Sequence, residues 1–580
     1  MYERRTESQR IHGLRAALIG VACQEDERDT VSEFFELFKT PWEFFREDVP
    51  YSVVLSTDRC CQKMEARLVI LFSKEAMSFD GENGISVGSA LKDPCLAFGG
   101  QRVPMHGSVI PFISLWTPIL KVTKTDKVAG VIVPKGPQTI LRLGYDLFQE
   151  VRDLLARGQS AANSGVPSLE IHISMLRKWI LDAGISVVEI PPVPAGYDFM
   201  CCLTHDVDFA GIRRHGLDRT VIGFLYRATL GCLADVLRGR ASTRKLFANW
   251  RAVLALPAIH LGIKTDYWIQ FQQYMGIEGD LASTFFFIPF KNRPGKDPSG
   301  RIRSSRATKY DIDDVKTHIH TLVDRGCEIG LHGLDAWHDP EQGIVEAQRI
   351  IQASGKSCKG VRMHWLYFDK DSARRLDKAG FNYDSTLGYN DAVGYWAGTV
   401  QAFRPPGALD LLELPLHIQD SALFYRGRMG LAENEALDLC SRLIINHLAY
   451  GGVLVVNWHH RSLAPERLWG DFYWDLLSQI RKYKVWFGTG SEVVQWFKKR
   501  RMVKFLIPRD LRSRDGTYQL KLETAEGDST PALVLRIHTP RANGRDGLAK
   551  EPREIEFDNS QMSGNFVSNN TEEVILENGL

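Results

Sequence analysis

Between residues 197 and 503, short apolar runs alternate with amphipathic helical patterns, and this alternation narrows the fold more than any other feature of the chain. Tyr197-Asp198-Phe199-Met200-Cys201-Cys202-Leu203 reads as a short buried strand. Ser283-Thr284-Phe285-Phe286-Phe287-Ile288 reads as another, stopped by Pro289. A helical period over 311–324, closed by Arg325-Gly326, leads into the strand Cys327-Glu328-Ile329-Gly330-Leu331. Helix 341–353 leads into Gly360-Val361-Arg362-Met363, and helix 432–450, ended by Gly451-Gly452, leads into Val453-Leu454-Val455-Val456. Parallel strands need crossovers of a dozen residues or more, usually helical, so the pattern predicts an α/β domain with a parallel sheet.

At 580 residues the chain exceeds one core and should hold two or three domains. Residues 1–190 mix strand-like runs such as Ala66-Arg67-Leu68-Val69-Ile70-Leu71-Phe72 with helical patterns such as 139–156, giving an N-terminal α/β domain without recognisable chemistry. Pro191-Pro192-Val193-Pro194-Ala195-Gly196 reads as a linker. Residues 504–540 alternate apolar and polar and predict a small β appendage; 541–580 are polar and read as a disordered tail.

A net charge of +2 argues against a nucleic-acid binder driven by bulk charge. The ten cysteines show no metal-ligand spacing and read as reduced thiols. Residues 14–23 are apolar but short and lead into Gln24-Glu25-Asp26-Glu27, so no export signal is expected and the location reads as cytoplasmic. No charge-free stretch reaches the ~18 residues of a membrane span. The nearest, 221–237, is interrupted by Arg227 and Asp235 and flanked by Arg213, Arg214, Arg219, Arg238 and Arg240. A surface helix packed on its own domain accounts for it, and peripheral contact with an anionic membrane through 213–240 is the alternative.

Chemistry gathers at the strand ends. In Leu203-Thr204-His205-Asp206-Val207-Asp208 the two aspartates, two apart on a strand, share a face and repel unless a positive group sits nearby. His332 ends the strand begun at Glu328, with His338 six residues on, and Asn457-Trp458-His459-His460 follows Val456. Carboxyl ends of parallel strands converge on one face, where active sites sit. Carboxylate and imidazole donors there suit a divalent metal ion, Zn²⁺ foremost.

These segments, in order, resemble the polysaccharide deacetylases (the NodB homology domain, carbohydrate esterase family four) over residues 197–500. Thr204-His205-Asp206-Val207-Asp208 is similar to the family's TFDDG motif in a DxD variant, and Ser283-Thr284-Phe285-Phe286 to its ATFF strand. Glu328-Ile329-Gly330-Leu331-His332-Gly333 resembles the histidine motif, Gly360-Val361-Arg362-Met363-His364-Trp365 the arginine motif. Glu413-Leu414-Pro415 and Val455-Val456-Asn457-Trp458-His459 resemble the later ones. The resemblance implies a distorted (β/α) barrel and metal-dependent removal of an N-acetyl group from an amino sugar. It implies Asp206 as general base, His459 as general acid, Arg362 as the partner orienting the base, and Asp208 and His332 as metal ligands. The family's second histidine falls at Ala336, so His338 is taken as third ligand, with Asp335 behind it.

Trp337, Trp365 and Trp458 adjoin the motifs and are candidates for a sugar-stacking groove. The substrate would be a polysaccharide or lipid-linked glycan. A deformylase of a lipid-linked aminosugar and an inactive glycan-binding scaffold are the competing readings. A metal-free glycosidase would leave His332 and His459 without roles.

Overall fold

The computed structural model describes residues 10–12, 17–57, 64–216, 218–239, 242–506, 518–521, 529–540, 551–557, 563–566 and 573–575. The chain divides into two compact units: residues 160–165 with 196–494, and residues 1–159 with 166–195 and 495–580.

The first of these is built on nine strands: β1 Phe199–Val207, β2 Ser283–Phe287, β3 Glu328–Gly333, β4 Gly360–Met363, β5 Tyr383–Asp384, β6 Leu412–Glu413, β7 Ile418–Gln419, β8 Val453–Asn457 and β9 Val485–Phe487. All pair in parallel, in the order β6-β5-β4-β3-β2-β1-β8-β7, with β9 beside the first half of β1. Every residue of β1 is buried, as befits a central strand covered on both faces. Phe285, Phe287, Leu331, Val361, Leu454 and Val456 meet in the core beneath the crossover helices.

Where a distorted (β/α) barrel was expected, the sheet is a curled parallel half-barrel. The outermost strands β6 and β7 do not pair with each other. Each is two residues long, too short to carry a closing ladder. The crossover between β1 and β2 is also expanded: helical arms Arg219–Leu237 and Thr243–His260 rise from it. The first arm contains a π-turn over Arg227–Gly231.

The other unit carries a mixed sheet. Trp42–Phe44, Ile19–Ala22, Tyr51–Ser56, Ala66–Phe72 and Gln138–Leu143 pair in parallel, and antiparallel strands continue from Val128–Lys135. The helical pattern expected over 139–156 is in fact a strand, Gln138–Leu143, then helix Leu147–Arg157. Asp146 caps that helix by accepting from Gln149 N at 2.9 Å, and Gly144 in the turn has no room for a side chain against Ile110.

The C-terminal appendage is not separate. Leu533–His538 pairs with Val187–Glu189 on one side and Arg553–Phe557 on the other, so these late strands belong to the unit that opens the chain. The expected disordered tail begins at 541, yet strands occupy Arg553–Phe557, Ser563–Phe566 and Glu573–Ile575; the rest of it lies outside the described residues.

Candidate metal and acid–base site

Parallel register sets the site. In the β1–β8 pair Thr204 lies opposite Asn457, in β3–β4 His332 lies opposite Arg362, and in β7–β8 Gln419 lies opposite Asn457. The residues that follow or end these strands therefore project from one edge of the sheet: Asp206 and Asp208, His332, Arg362 and His364, Asp420, and His459.

Asp206 is held without a metal. Arg362 Nη1 donates to its Oδ1 at 3.0 Å, and Asn457 Nδ2 to its Oδ2 at 2.8 Å. Arg362 is itself fixed by Thr204 Oγ1 (2.7 Å), the Ser385 carbonyl (2.9 Å) and Ser385 Oγ (2.8 Å), all out of solvent. Burial pushes the Asp206 carboxyl up, but Arg362, His332 and His459 outweigh it and hold it below the usual carboxylate range. Asp206 is a carboxylate on a rigid mount.

Asp208 is different: its neighbours are imidazoles. His332 Nε2 lies 3.2 Å and His364 Nε2 3.4 Å from Oδ1, and His459 Nε2 lies 3.9 Å from Oδ2. Asp208, His332 and His364 offer one ligand atom each, all within 4.8 Å of one another. His332 Nδ1 is 2.9 Å from the Arg362 carbonyl, which only accepts, so Nδ1 holds the proton and Nε2 aims at the carboxylate. Nitrogen and oxygen lone pairs facing at that distance need a proton or a cation between them. Burial keeps His364 neutral, its pKa well below the ordinary value, which is the form that binds a metal. One carboxylate and two imidazoles, with the His332 tautomer fixed by a backbone carbonyl, fit a catalytic divalent ion with open positions.

The backbone around His364 is constrained to match. Trp365 and Leu366 both sit in the left-handed region, φ 66° and 55°, costly for residues other than glycine. The buried Arg306 secures the turn by donating to the His364 carbonyl at 2.8 Å and the Leu334 carbonyl at 2.9 Å.

His338, taken as the third ligand from sequence, is not part of this cluster. Its Nε2 lies 3.0 Å from Asp335 Oδ1, which also accepts from Lys296 N at 2.8 Å, so Asp335 is equally occupied. The loop is drawn aside because Leu334 and Ala336 enter the core and Glu346 accepts the Leu334 and Asp335 N–H groups, each at 2.9 Å. His364 stands in place of His338.

His459 has the carboxylate neighbour a general acid requires. Asp420 Oδ1 is 2.5 Å from His459 Nδ1, Oδ2 accepts from His459 N at 2.7 Å, and Ser462 Oγ also donates to Oδ2. Burial alone would lower the imidazole, but Asp420, aided by Asp208 and Asp206, raises it to about 9. It is protonated at neutral pH.

Of the tryptophans proposed for a groove, Trp458 is core: fully buried and stacked at 5.7 Å on Phe472 and 5.1 Å on Tyr473. Trp337 is 5% exposed and packs beside His338. Trp365, 39% exposed and 5.8 Å from His364 between ring centroids, remains a candidate platform.

Sequence reasoning missed His364 and Asp420. His364 directly follows the strand carrying Arg362, and that position was the available signal. Asp420 follows a two-residue strand that periodicity does not register.

No family model matches the chain, and no curated protein does. Solved structures similar to it include the carbohydrate deacetylase Agd3, at 9% identity over 97% of this chain and 100% of that one, TM-score 0.37. A polysaccharide deacetylase from Bacillus cereus is 11% identical over 39% of this chain and 86% of its own, TM-score 0.23. A mutant of a CE4 family pseudoenzyme is 12% identical over 53% and 72%, TM-score 0.24. Likenesses of this degree carry no weight for the chemistry, which stands on the geometry above.

Proposed function

We propose that this chain is a metal-dependent hydrolase that removes an N-acyl group, acetyl foremost, from an amino sugar. The observation that carries the reading is that Asp206 and His459 both adjoin the Asp208, His332 and His364 cluster, Asp206 3.9 Å from His332 and His459 3.9 Å from Asp208. Asp208, His332 and His364 would hold the ion; when bound, it supplies Lewis acidity to the amide carbonyl and makes water more acidic. Asp206 accepts a proton from the water that attacks the carbonyl carbon. His459 donates its proton to the sugar nitrogen as the C–N bond breaks, which spares the departing amine from leaving as an anion. Arg362 and Asn457 keep Asp206 oriented throughout, and Asp420 keeps His459 charged. The products are a carboxylic acid and a free amine.

Zn²⁺ suits two imidazoles and a carboxylate best. Release of acetate from N-acetylated chito-oligosaccharides, lost on chelation and regained with Zn²⁺, tests the reading. Activity that persists in chelator sinks it. Release of formate from an N-formyl amino sugar by the same chain would favour the deformylase variant. The inactive-scaffold reading drew on Ala336 in the sequence; His364 supplies the missing imidazole in space.

A membrane-presented glycan suits the expanded crossover. Its two arms expose Ile222, Tyr226, Leu230 and Leu237, and Phe247 and Leu254. Between residues 211 and 264 there are eight arginines and two lysines against two aspartates, although the whole chain carries only +2. Apolar stripes edged by arginine are the composition of an interfacial helix pair. Wild type that stays in the supernatant with phosphatidylglycerol vesicles at low salt would exclude this contact.

A further inference from the structure

Beneath the helical arms lies a cavity of about 670 Å³, bounded on its other side by the loops that follow β7 and β8. Its lining is strongly cationic. Arg219, Arg227 and Lys245 come from the arms, Arg426 from the loop after β7, and Arg461 and Arg467 from the loop after β8. Only two carboxylates join them: Asp235 pairs with Arg426, and Glu466 Oε1 pairs with Arg461 Nε at 2.6 Å. Arg227, Lys245 and Arg467 have no carboxylate within ion-pair distance among the described residues. Lys245 Nζ donates to the Arg467 carbonyl, 2.7 Å, and Arg467 to Ser462 Oγ, 3.2 Å, and Tyr425 Oη. Arg461 lies flat on Trp268 at 3.5 Å, side chain almost wholly buried, and its Nη2 has no hydrogen-bond partner. Glu466 Oε2 is bare as well, so beyond the Asp235–Arg426 pair one carboxylate faces four guanidinium groups and an ammonium.

Among these cations Arg461 is buried, Lys245 and Arg467 are half-buried and Arg227 is exposed; a buried guanidinium with an unpartnered nitrogen is costly unless an anion completes it. The arms that form one wall belong to the β1–β2 crossover, which leaves the sheet immediately after Asp208. A hydrogen-bond chain links the cavity lining to the acid–base site: Arg467 donates to Ser462 Oγ, and Ser462 Oγ donates to Asp420, the partner of His459.

We infer that this cavity is a binding site for a phosphate group, held by Arg227, Lys245, Arg461 and Arg467. Guanidinium forks match phosphate oxygens in pairs, and the ammonium adds a point charge. Together with the proposed function, on which this step rests, the site assigns a substrate class: an amino sugar carrying a phosphate or diphosphate ester, borne either on a lipid or on a soluble carrier. Phosphate recognition itself does not depend on the deacylation chemistry, so either can fail alone.

The test is isothermal titration of the full chain with inorganic phosphate and with geranylgeranyl diphosphate, repeated on Arg227→Gln, Lys245→Gln, the double variant and His332→Ala. The expected result is saturable binding weakened tenfold or more in the double variant, with His332→Ala like wild type. Tighter binding of the prenyl ester by tenfold or more would assign a lipid carrier; equal affinity would assign a soluble one. Thermal melts of each variant establish that it is folded. Binding lost in folded His332→Ala but kept in the double variant would put the phosphate on the metal ligands and overturn the inference. So would no binding of either probe to wild type.

Discussion

The two ends of one strand, β3, show how this sheet divides its labour. At the amino end Glu328 accepts from Thr284 Oγ1 (3.0 Å), Tyr383 Oη (3.1 Å), Ser491 N (2.9 Å) and Ser491 Oγ, so its carboxyl group is fully engaged. At the carboxyl end His332 faces Asp206 and Asp208 in a group rich in acceptors and short of donors. Buried polar groups that are satisfied hold a fold together, and those that are not await a ligand. Both ends are acidic; only the carboxyl end retains unspent capacity.

Substitutions at the two ends should therefore separate activity from stability. The largest effect is expected from Asp206→Asn, which keeps the shape but removes the base: kcat should fall about 10²–10⁴-fold, with the melting temperature within a few degrees of wild type. The reverse, a large loss of stability with the base intact, is expected from Trp458→Ala. Deleting that stacked indole should cost about 3–5 kcal/mol in urea unfolding, and a mild effect would reopen its role in the groove.

Asp420→Asn sharpens the contrast through pH. His459 must be protonated to act, so wild-type rate should fall as pH rises through about 9. Removing the Asp420 charge lowers the imidazole's pKa, and the basic limb of the pH–rate profile should move to lower pH with kcat down about 10–100-fold. An unmoved limb would mean that another group acts as the acid.

At the opposite end, Glu328→Ala strands the hydroxyls of Thr284 and Tyr383, and about 1–3 kcal/mol of stability should go while kcat/KM of the folded enzyme stays within twofold. A large catalytic loss there would break the comparison. His338→Ala should be the mildest, with initial rates changed less than threefold, since its hydrogen bond is to Asp335 outside the cluster.

Much of this was legible in the sequence for a physical reason. Strands such as Phe199–Val207 and Val453–Asn457 begin as apolar runs, and the residues just past them, Asp208 and His459, inherit a position from the strand. What escaped depends on contacts distant along the chain. The two-residue strands β5, β6 and β7 exist only through their parallel neighbours, so neither the open sheet nor Asp420 could be read. Choosing His338 relied on spacing along the chain, whereas Glu346 and Arg306 decide which imidazole reaches Asp208.

The proposed hydrolysis depends on one metal site formed by Asp208, His332 and His364. Its most direct test is the metal content of purified, zinc-reconstituted wild type beside Asp208→Ala, His332→Ala, His364→Ala and His338→Ala, each verified as folded by circular dichroism. About one ion per chain is expected in wild type and in His338→Ala, and none in the other three. An ion retained by His364→Ala but lost from His338→Ala, or a wild type that takes up no metal, would contradict it.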